Sequence, residues 1–99
     1  MFLGRVIGNI TASRKVEKLN GIKFLLVQPQ PLKEKESAAL VVAADRLGAG
    51  IGEDVIVAFG RAGRLGMGDE NLPIEAAVVA IVDGKEIRAE ARITKGLIE

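Results

Sequence analysis

Five runs of β-forming residues, separated by turn formers, set the pattern of hydrophobic and polar positions along the chain. They extend over Leu3 to Thr11, Ile22 to Gln28, Ala38 to Asp45, Glu53 to Gly60 and Ala76 to Asp83. No connection between them shows a convincing helical period, and a short helical turn is predicted only near Pro73 to Ala77, where proline suits a first helical position. Short, closely spaced strands without long helices predict an all-β barrel or sandwich.

Three of these runs are apolar on both faces of the strand: Leu40 to Ala44, Val55 to Phe59 and Ala76 to Val82. A strand with one wet face would alternate apolar and polar residues instead. A single domain of 99 residues is too small to cover both faces of so many strands, and a large exposed apolar area usually marks an interface. We therefore expect self-association. The alternative is that small Ala and Val side chains lie exposed at little cost.

A glycine-rich segment, Asp45 to Glu53, lies between two of the apolar runs and has glycine at three alternate positions, Gly48, Gly50 and Gly52. Such a run marks either a ligand cradle or a point of close backbone packing. A dinucleotide fingerprint would read G-x-G-x-x-G and open a helix, whereas here the third glycine comes one residue early and a strand-like run follows. The pattern therefore favours close packing over a nucleotide site.

Composition narrows the possible functions. The 14 Lys and Arg residues nearly balance 13 Asp and Glu, so a net charge of +1 provides no global field for nucleic acid or an anionic membrane. The chain has no Cys, which excludes disulfides and thiolate metal sites, and no His, which removes the commonest general base. We expect no catalytic residues, no cofactor and no metal. With no signal-like or membrane-length apolar segment, we also expect a soluble, unprocessed protein.

A monomeric OB-like module that binds single-stranded nucleic acid is the second hypothesis, because five-stranded barrels often have that role. Such binding relies on aromatic side chains that stack bases within a basic groove. Phe24 and Phe59 lie in apolar runs and are predicted to be core residues, which leaves Phe2 as the one plausible exposed stacking residue. Three basic residues cluster in the first loop, but such a group usually belongs to a solvated turn: Arg14, Lys15 and Lys18.

Two aspartates, Asp45 and Asp83, close apolar runs. Each could accept backbone N–H groups or pair with an arginine across a subunit boundary. Arg61 and Arg64, which follow Gly60, are possible partners. The default interpretation of either aspartate is a simple turn residue at the end of a strand.

Four segments, taken in order, resemble the EutN/CcmL family of bacterial microcompartment vertex proteins. They are Leu3-Gly4-Arg5-Val6-Ile7-Gly8, Leu25-Leu26-Val27-Gln28-Pro29, Asp45 followed by Gly48-Ala49-Gly50-Ile51-Gly52-Glu53, and Ile81-Val82-Asp83. The similarity runs from Leu3 to about Asp83. It is weaker at Arg61-Ala62-Gly63-Arg64 and in the tail.

The resemblance implies a five-stranded, OB-like β-barrel that forms one domain over residues 1–99, with its core in residues 2–83. It also implies a homopentamer that caps the vertices of a polyhedral shell in the bacterial cytoplasm, with hexameric and pseudohexameric shell proteins as partners. Residues 84–99 are predicted to form a C-terminal strand or tail, since charged and apolar residues alternate from Glu86 to Ile93.

The same resemblance implies two sets of assembly residues. The glycine loop, Gly48, Ala49, Gly50, Ile51, Gly52 and Glu53, would lie near the fivefold axis. Asp45, Arg64 and Asp83 would lie near subunit boundaries.

Overall fold

A closed barrel of five short strands forms the body of the protein. The computed structural model describes residues 1–30, 39–83 and 87. The strands are β1 (Phe2–Ile10), β2 (Lys23–Pro29), β3 (Val41–Asp45), β4 (Asp54–Phe59) and β5 (Ala76–Val82). One helix, α1 (Gly60–Gly66), follows β4, and a 3-10 turn (Glu17–Leu19) lies in the loop between β1 and β2.

These strands confirm the predicted all-β class. Each observed strand end lies within one residue of its prediction except the start of β3, which is Val41 where the prediction placed Ala38. Ala38 and most of the predicted tail strand lie outside the described residues. The accuracy reflects how clearly Gly, Pro and Asp interrupt the apolar runs of this chain.

Around the barrel the strands follow the order β1-β2-β3-β5-β4, and β1 pairs with β4 to close it. Every pairing is antiparallel except β3 with β5, which are parallel and meet at Ala44 and Ala77. This is the OB-like, Greek-key arrangement expected of a five-stranded barrel. In this order β2 and β3 are the two strands that β4 does not touch.

The core is divided between the barrel interior and a smaller cluster outside its wall. On β5, Ala76 and Val78 point into the barrel and Ala77, between them, belongs to the outer cluster. On β3, Ala43 and Ala44 divide in the same way. The interior contains Val6, Leu25, Val27, Ala43, Ala49, Val55, Val57, Ala76 and Val78, and the outer cluster contains Ile22, Ala44, Met67, Leu72 and Ala77.

Part of the apolar character on both faces of β3 and β5 is therefore used within one protomer. The segment after α1 contributes Met67 and Leu72, which cover the outer faces of Ala44 and Ala77. The expectation that these strands could not be covered on both faces by the chain itself is thus wrong at this end of the barrel. Elsewhere on the same two strands, Val42 is 52% exposed and Ile81 is 39% exposed.

Helix α1 was not predicted, because its glycines at three-residue spacing resemble a loop and glycine disfavours helices. Two of those glycines form the face that contacts the barrel. A Cβ added to Gly63 would lie 2.6 Å from the carbonyl oxygen of Ala58, and one added to Gly66 would lie 2.7 Å from Cγ1 of Val79. Close packing against β4 and β5 thus overrides the weak propensity. Glycines at positions i, i+3 and i+6 were the overlooked sign of a helix packed on its small-residue face.

The helical turn predicted at Pro73 to Ala77 does not form. Ala76 and Ala77 already belong to β5, and the three residues before them are irregular. Burial of Ala76 and Ala77 on the two faces of β5 requires an extended backbone there, so tertiary packing decides the conformation. Within the part of the chain that the structure describes, no helix has the length and apolarity needed to cross a bilayer.

Candidate assembly surfaces

The glycine loop is organised around the buried carboxylate of Asp45, whose residue is only 3% exposed. One carboxylate oxygen accepts the N–H of Leu47 at 2.8 Å. The other accepts the N–H groups of Gly48 at 3.2 Å and Ala49 at 2.8 Å. Of the two roles open to Asp45 from sequence, acceptance of backbone N–H groups is the one seen in the protomer.

The far end of the loop is attached to β1. The N–H of Gly52 donates to the carbonyl of Val6 at 2.8 Å, and the N–H of Val6 donates to the carbonyl of Glu53 at 3.0 Å. The Glu53 carboxylate accepts the N–H of Gly50 at 2.7 Å. Gly52 has a φ of +92°, a left-handed conformation that side chains rarely adopt. These bonds make the loop a fixed feature of the surface.

Two large apolar side chains project from this fixed loop. Leu47 is 53% exposed and Ile51 is 64% exposed, whereas Ala49 between them is fully buried in the barrel core. A Cβ added at Gly48 would meet no atom within 4 Å, so the space beside that glycine is open. The loop therefore offers apolar groups and accessible backbone to another molecule.

Arg64 stabilises the segment that follows α1. Its Nε donates to the carbonyl of Glu70 at 2.9 Å and its guanidinium also donates to the carbonyl of Ile74 at 3.4 Å. Arg61 makes an exposed ion pair with Glu70 at 3.3 Å. The pairing of Asp45 with either arginine, left open by the sequence, does not occur within the protomer among the described residues.

One apolar surface is centred on β4 and is called here the β4 wall: Leu3, Ile56, Ala80 and Val82. Leu3 faces Ile56 across β1 and β4, and Ile56 faces Ala80 across β4 and β5. Beside this row lies a groove of about 490 Å³, whose lining includes Met1, Leu3, Ile56, Val82 and Ile87. The ion pair of Arg5 with Asp54, at 3.2 Å, flanks the wall on the same two strands.

A second apolar surface, the β2–β3 wall, consists of Ile7, Leu26, Leu40 and Val42. Leu26 and Val42 face each other across the two strands. Val42 is 52% exposed, and Leu40 and Ile7 are exposed to a similar degree. Because β4 pairs with neither β2 nor β3, these two strands lie across the barrel from the β4 wall, and Ile7 lies on β1, the strand between β4 and β2.

Sequence alternation did not identify these outward residues individually. The register shifts between Val6 and Gly8 in β1 and between Ile56 and Val57 in β4. An irregularity of this kind changes which residues point outward on one side of it. The apolar character of both strand faces identified the strands, but it did not show which side chains on them point outward.

The aromatic residues are not arranged to stack bases. Phe2 is partly buried and packs on the barrel core, with its ring centroid 5.4 Å from that of Phe59. Phe24 packs against the outer cluster. The prediction that Phe2 is an exposed stacking residue is therefore wrong. The prediction that Phe59 is a core residue is also wrong, because Phe59 is 41% exposed. The two rings contact each other at a tilt of 33°.

A closed barrel with a hydrogen-bonded loop and two exposed apolar walls is typical of a structural subunit that associates with further copies. The family model described as "Ethanolamine utilisation protein EutN/carboxysome" matches residues 1–83. The chain therefore belongs to the EutN/CcmL family, as its sequence resemblance implied.

Close relatives agree with this assignment. The chain is 42% identical over 86 residues to the bacterial microcompartment shell vertex protein GrpN of Rhodospirillum rubrum, an alignment that covers 87% of this chain and 97% of GrpN. It is 41% identical over 88 residues to the carboxysome shell vertex protein CcmL of Gloeobacter violaceus, with 84% and 83% of the two chains covered. These relatives are structural shell components, and this chain is likewise a structural protein and not an enzyme.

A solved structure supports the fold directly. The pentameric microcompartment shell protein GrpN from Rhodospirillum rubrum superposes with a TM-score of 0.73 at 38% sequence identity, over 89% of this chain and all of that one. The chain therefore shares its fold with a pentameric shell protein over most of its length.

Proposed function

We propose that five copies of this chain form a ring that closes a vertex of a bacterial microcompartment shell. The observation that carries the proposal is the pair of unlike apolar walls on opposite sides of the barrel. In a cyclic assembly each subunit contacts its two neighbours through two different surfaces, head to tail. If the β4 wall of each subunit packs against the β2–β3 wall of the next, every subunit in the ring has both walls covered. A twofold dimer would cover only one kind of wall.

The ring has a mechanical purpose in a closed shell. Flat tiles with sixfold symmetry cover a plane, so a polyhedron built from them needs fivefold units where its facets meet. A pentameric family member with this barrel gives the shell its curvature at such points. We infer from the same geometry that the outer rim of the ring contacts hexameric and pseudohexameric shell proteins.

The glycine loop, residues 48–53, is the proposed lining of the fivefold axis. Three features support this placement: the open space beside Gly48, the exposed side chains of Leu47 and Ile51, and the rigid attachment of Gly52 to Val6. Glycine at such a position lets several copies of a backbone approach one another closely.

Asp45, Arg64 and Asp83 are proposed to lie near the subunit boundary. Asp45 and Arg64 act there by fixing loop backbone, through the bonds already described, whereas Asp83 lies exposed directly after β5. Replacing Asp83 by Ala and measuring particle mass by native mass spectrometry tests the third placement. A pentamer of unchanged mass and stability would remove Asp83 from the interface.

Particle mass is the primary test of the whole proposal. Native mass spectrometry and multi-angle light scattering at micromolar concentration are expected to give five times the 10.5 kDa protomer mass. Electron microscopy of the chain co-expressed with a hexameric shell protein is expected to show closed polyhedra, with open or elongated shells when this chain is omitted. A folded monomer at all concentrations, or closed shells without this chain, would contradict the proposal.

A further inference from the structure

The basic cluster of the first loop has no role in the proposed assembly. Residues 9–24 contain four basic residues and one acidic residue, whereas the rest of the chain contains ten basic and twelve acidic residues. The small net charge of the chain therefore conceals an excess of positive charge in the segment that joins β1 to β2. Local charge of this kind attracts anions even when the global field is weak.

A cleft of about 330 Å³ lies at this end, where β1 leaves the barrel and β2 enters it. Its polar lining comes from Asn9, Thr11, Lys15 and Lys23, and Ile22 and Phe24 contribute apolar surface. The lining contains no carboxylate among the described residues. The volume is at the small end of the range for small-molecule sites, which favours a compact ligand over a peptide.

Both lysines of the cleft are held in place by neutral acceptors. Lys15 Nζ donates to the carbonyl of Ala12 at 3.2 Å, and Lys23 Nζ donates to the carbonyl of Ala49 at 3.0 Å. An ammonium group has three N–H donors, so each retains donors for a ligand after this single bond. Asp45 faces Lys23 across β2 and β3, but its oxygens accept three backbone N–H groups and form no ion pair with that lysine.

We propose that this cleft binds a small oxyanion, recognised through its carboxylate or phosphate oxygens by Lys15 and Lys23, with Asn9 and Thr11 as further polar contacts. Charge-assisted hydrogen bonds to such oxygens are the strongest that a surface site of this composition can offer. The cleft lies within one protomer, so the proposal does not depend on ring formation.

The test uses the full-length ¹⁵N-labelled chain, titrated separately with inorganic phosphate and with malonate while chloride keeps the ionic strength constant. Saturable chemical-shift changes confined to residues 9–24 are expected. Stronger binding of phosphate would indicate a phosphorylated ligand, and stronger binding of malonate a carboxylate ligand. Shifts that rise linearly without saturation for both probes would overturn the proposal.

A matched pair of variants separates a site from diffuse attraction. Lys15→Gln removes a charge that lines the cleft, and Lys18→Gln removes the same charge from an exposed residue of the same loop that does not line it. Lys15→Gln is expected to weaken binding about fivefold or more, and Lys18→Gln by less than about twofold. If both substitutions weakened anion binding equally, the anion would be attracted by the overall positive charge of the loop and not by a defined site, and the proposal would be overturned. Unchanged particle mass and thermal stability in each variant serve as the folding control.

Discussion

The Asp45 carboxylate and the backbone N–H of Ala49 are joined by a buried hydrogen bond of 2.8 Å, and this bond fixes the start of the glycine loop. The carbonyl of the same Ala49 accepts a bond from Lys23 at 3.0 Å, while its methyl group lies in the barrel core. One residue thus connects the loop backbone, the core and β2. The orientation of the proposed axial loop depends on this connection.

Removing the carboxylate is expected to destabilise the fold. Asp45→Ala leaves three N–H groups without their acceptor, one of them fully buried, and we expect a loss of about 2–4 kcal/mol in the free energy of unfolding. Asp45→Asn keeps one acceptor oxygen and is expected to lose less. Urea denaturation at matched protein concentration measures both, because the stability of an oligomer depends on concentration. Losses below about 0.5 kcal/mol for Asp45→Ala would contradict a structural role for the carboxylate.

The contact of α1 with the barrel gives a prediction that distinguishes two similar substitutions. Gly63→Ala places a methyl group 2.6 Å from a carbonyl oxygen of the backbone, which cannot move aside easily. Gly66→Ala meets only the side chain of Val79, which is partly exposed. We expect Gly63→Ala to lose about 1–3 kcal/mol, despite the roughly 1 kcal/mol that alanine gains in a helix.

For Gly66→Ala the helical gain and the contact with Val79 are expected to offset each other, leaving a change within about 0.5 kcal/mol. The midpoint of urea unfolding for the two variants provides the comparison. If both variants lose the same stability, or if Gly63→Ala is the more stable, the close approach of the helix to β4 is not as described.

The strands could be predicted from the sequence, because each apolar run ends at a clear turn former. Helix α1 was missed although its glycine spacing was a sign of it, because the contacts that favour the helix, Gly63 with β4 and Gly66 with Val79 of β5, form only in the folded barrel. The sequence showed that both strand faces are apolar. Which apolar residues stay exposed depends on the bulge beside Ile56 and on the outer cluster that covers Ala77, and neither can be seen in the sequence. Asp45 was identified as a candidate with two possible partners, and only the folded loop shows that backbone N–H groups are its partners in the protomer.

The two-wall arrangement predicts that a charge on either wall blocks assembly without unfolding the barrel. Val42 is 52% exposed in the protomer, so Val42→Glu costs little in an isolated subunit but buries an unpaired charge in the ring. We expect a monomer by native mass spectrometry, with a circular dichroism spectrum like that of the parent. Val16→Glu is the matched control, because Val16 is 59% exposed and lies outside both walls. A Val42→Glu variant that retains the parent mass would contradict the proposed interface.

The absence of cysteine makes the axial loop directly testable by cross-linking. Ile51 is 64% exposed at the tip of the loop, and Ile51→Cys introduces a single thiol into each copy. If five loops surround one axis, the thiols of neighbouring copies lie close together. A disulfide forms only where the two Cα atoms lie within about 7 Å. Bismaleimides of graded length link thiols that are farther apart. Each copy has only one thiol, so the cross-linked product on a denaturing gel is expected to stop at a dimer, with one monomer left over in every fully reacted ring.

Leu65→Cys on α1, at 53% exposure, is the matched control and is expected to stay monomeric under the same conditions. Equal cross-linking of both variants, or none at Ile51 with any reagent length, would place the glycine loop away from the axis.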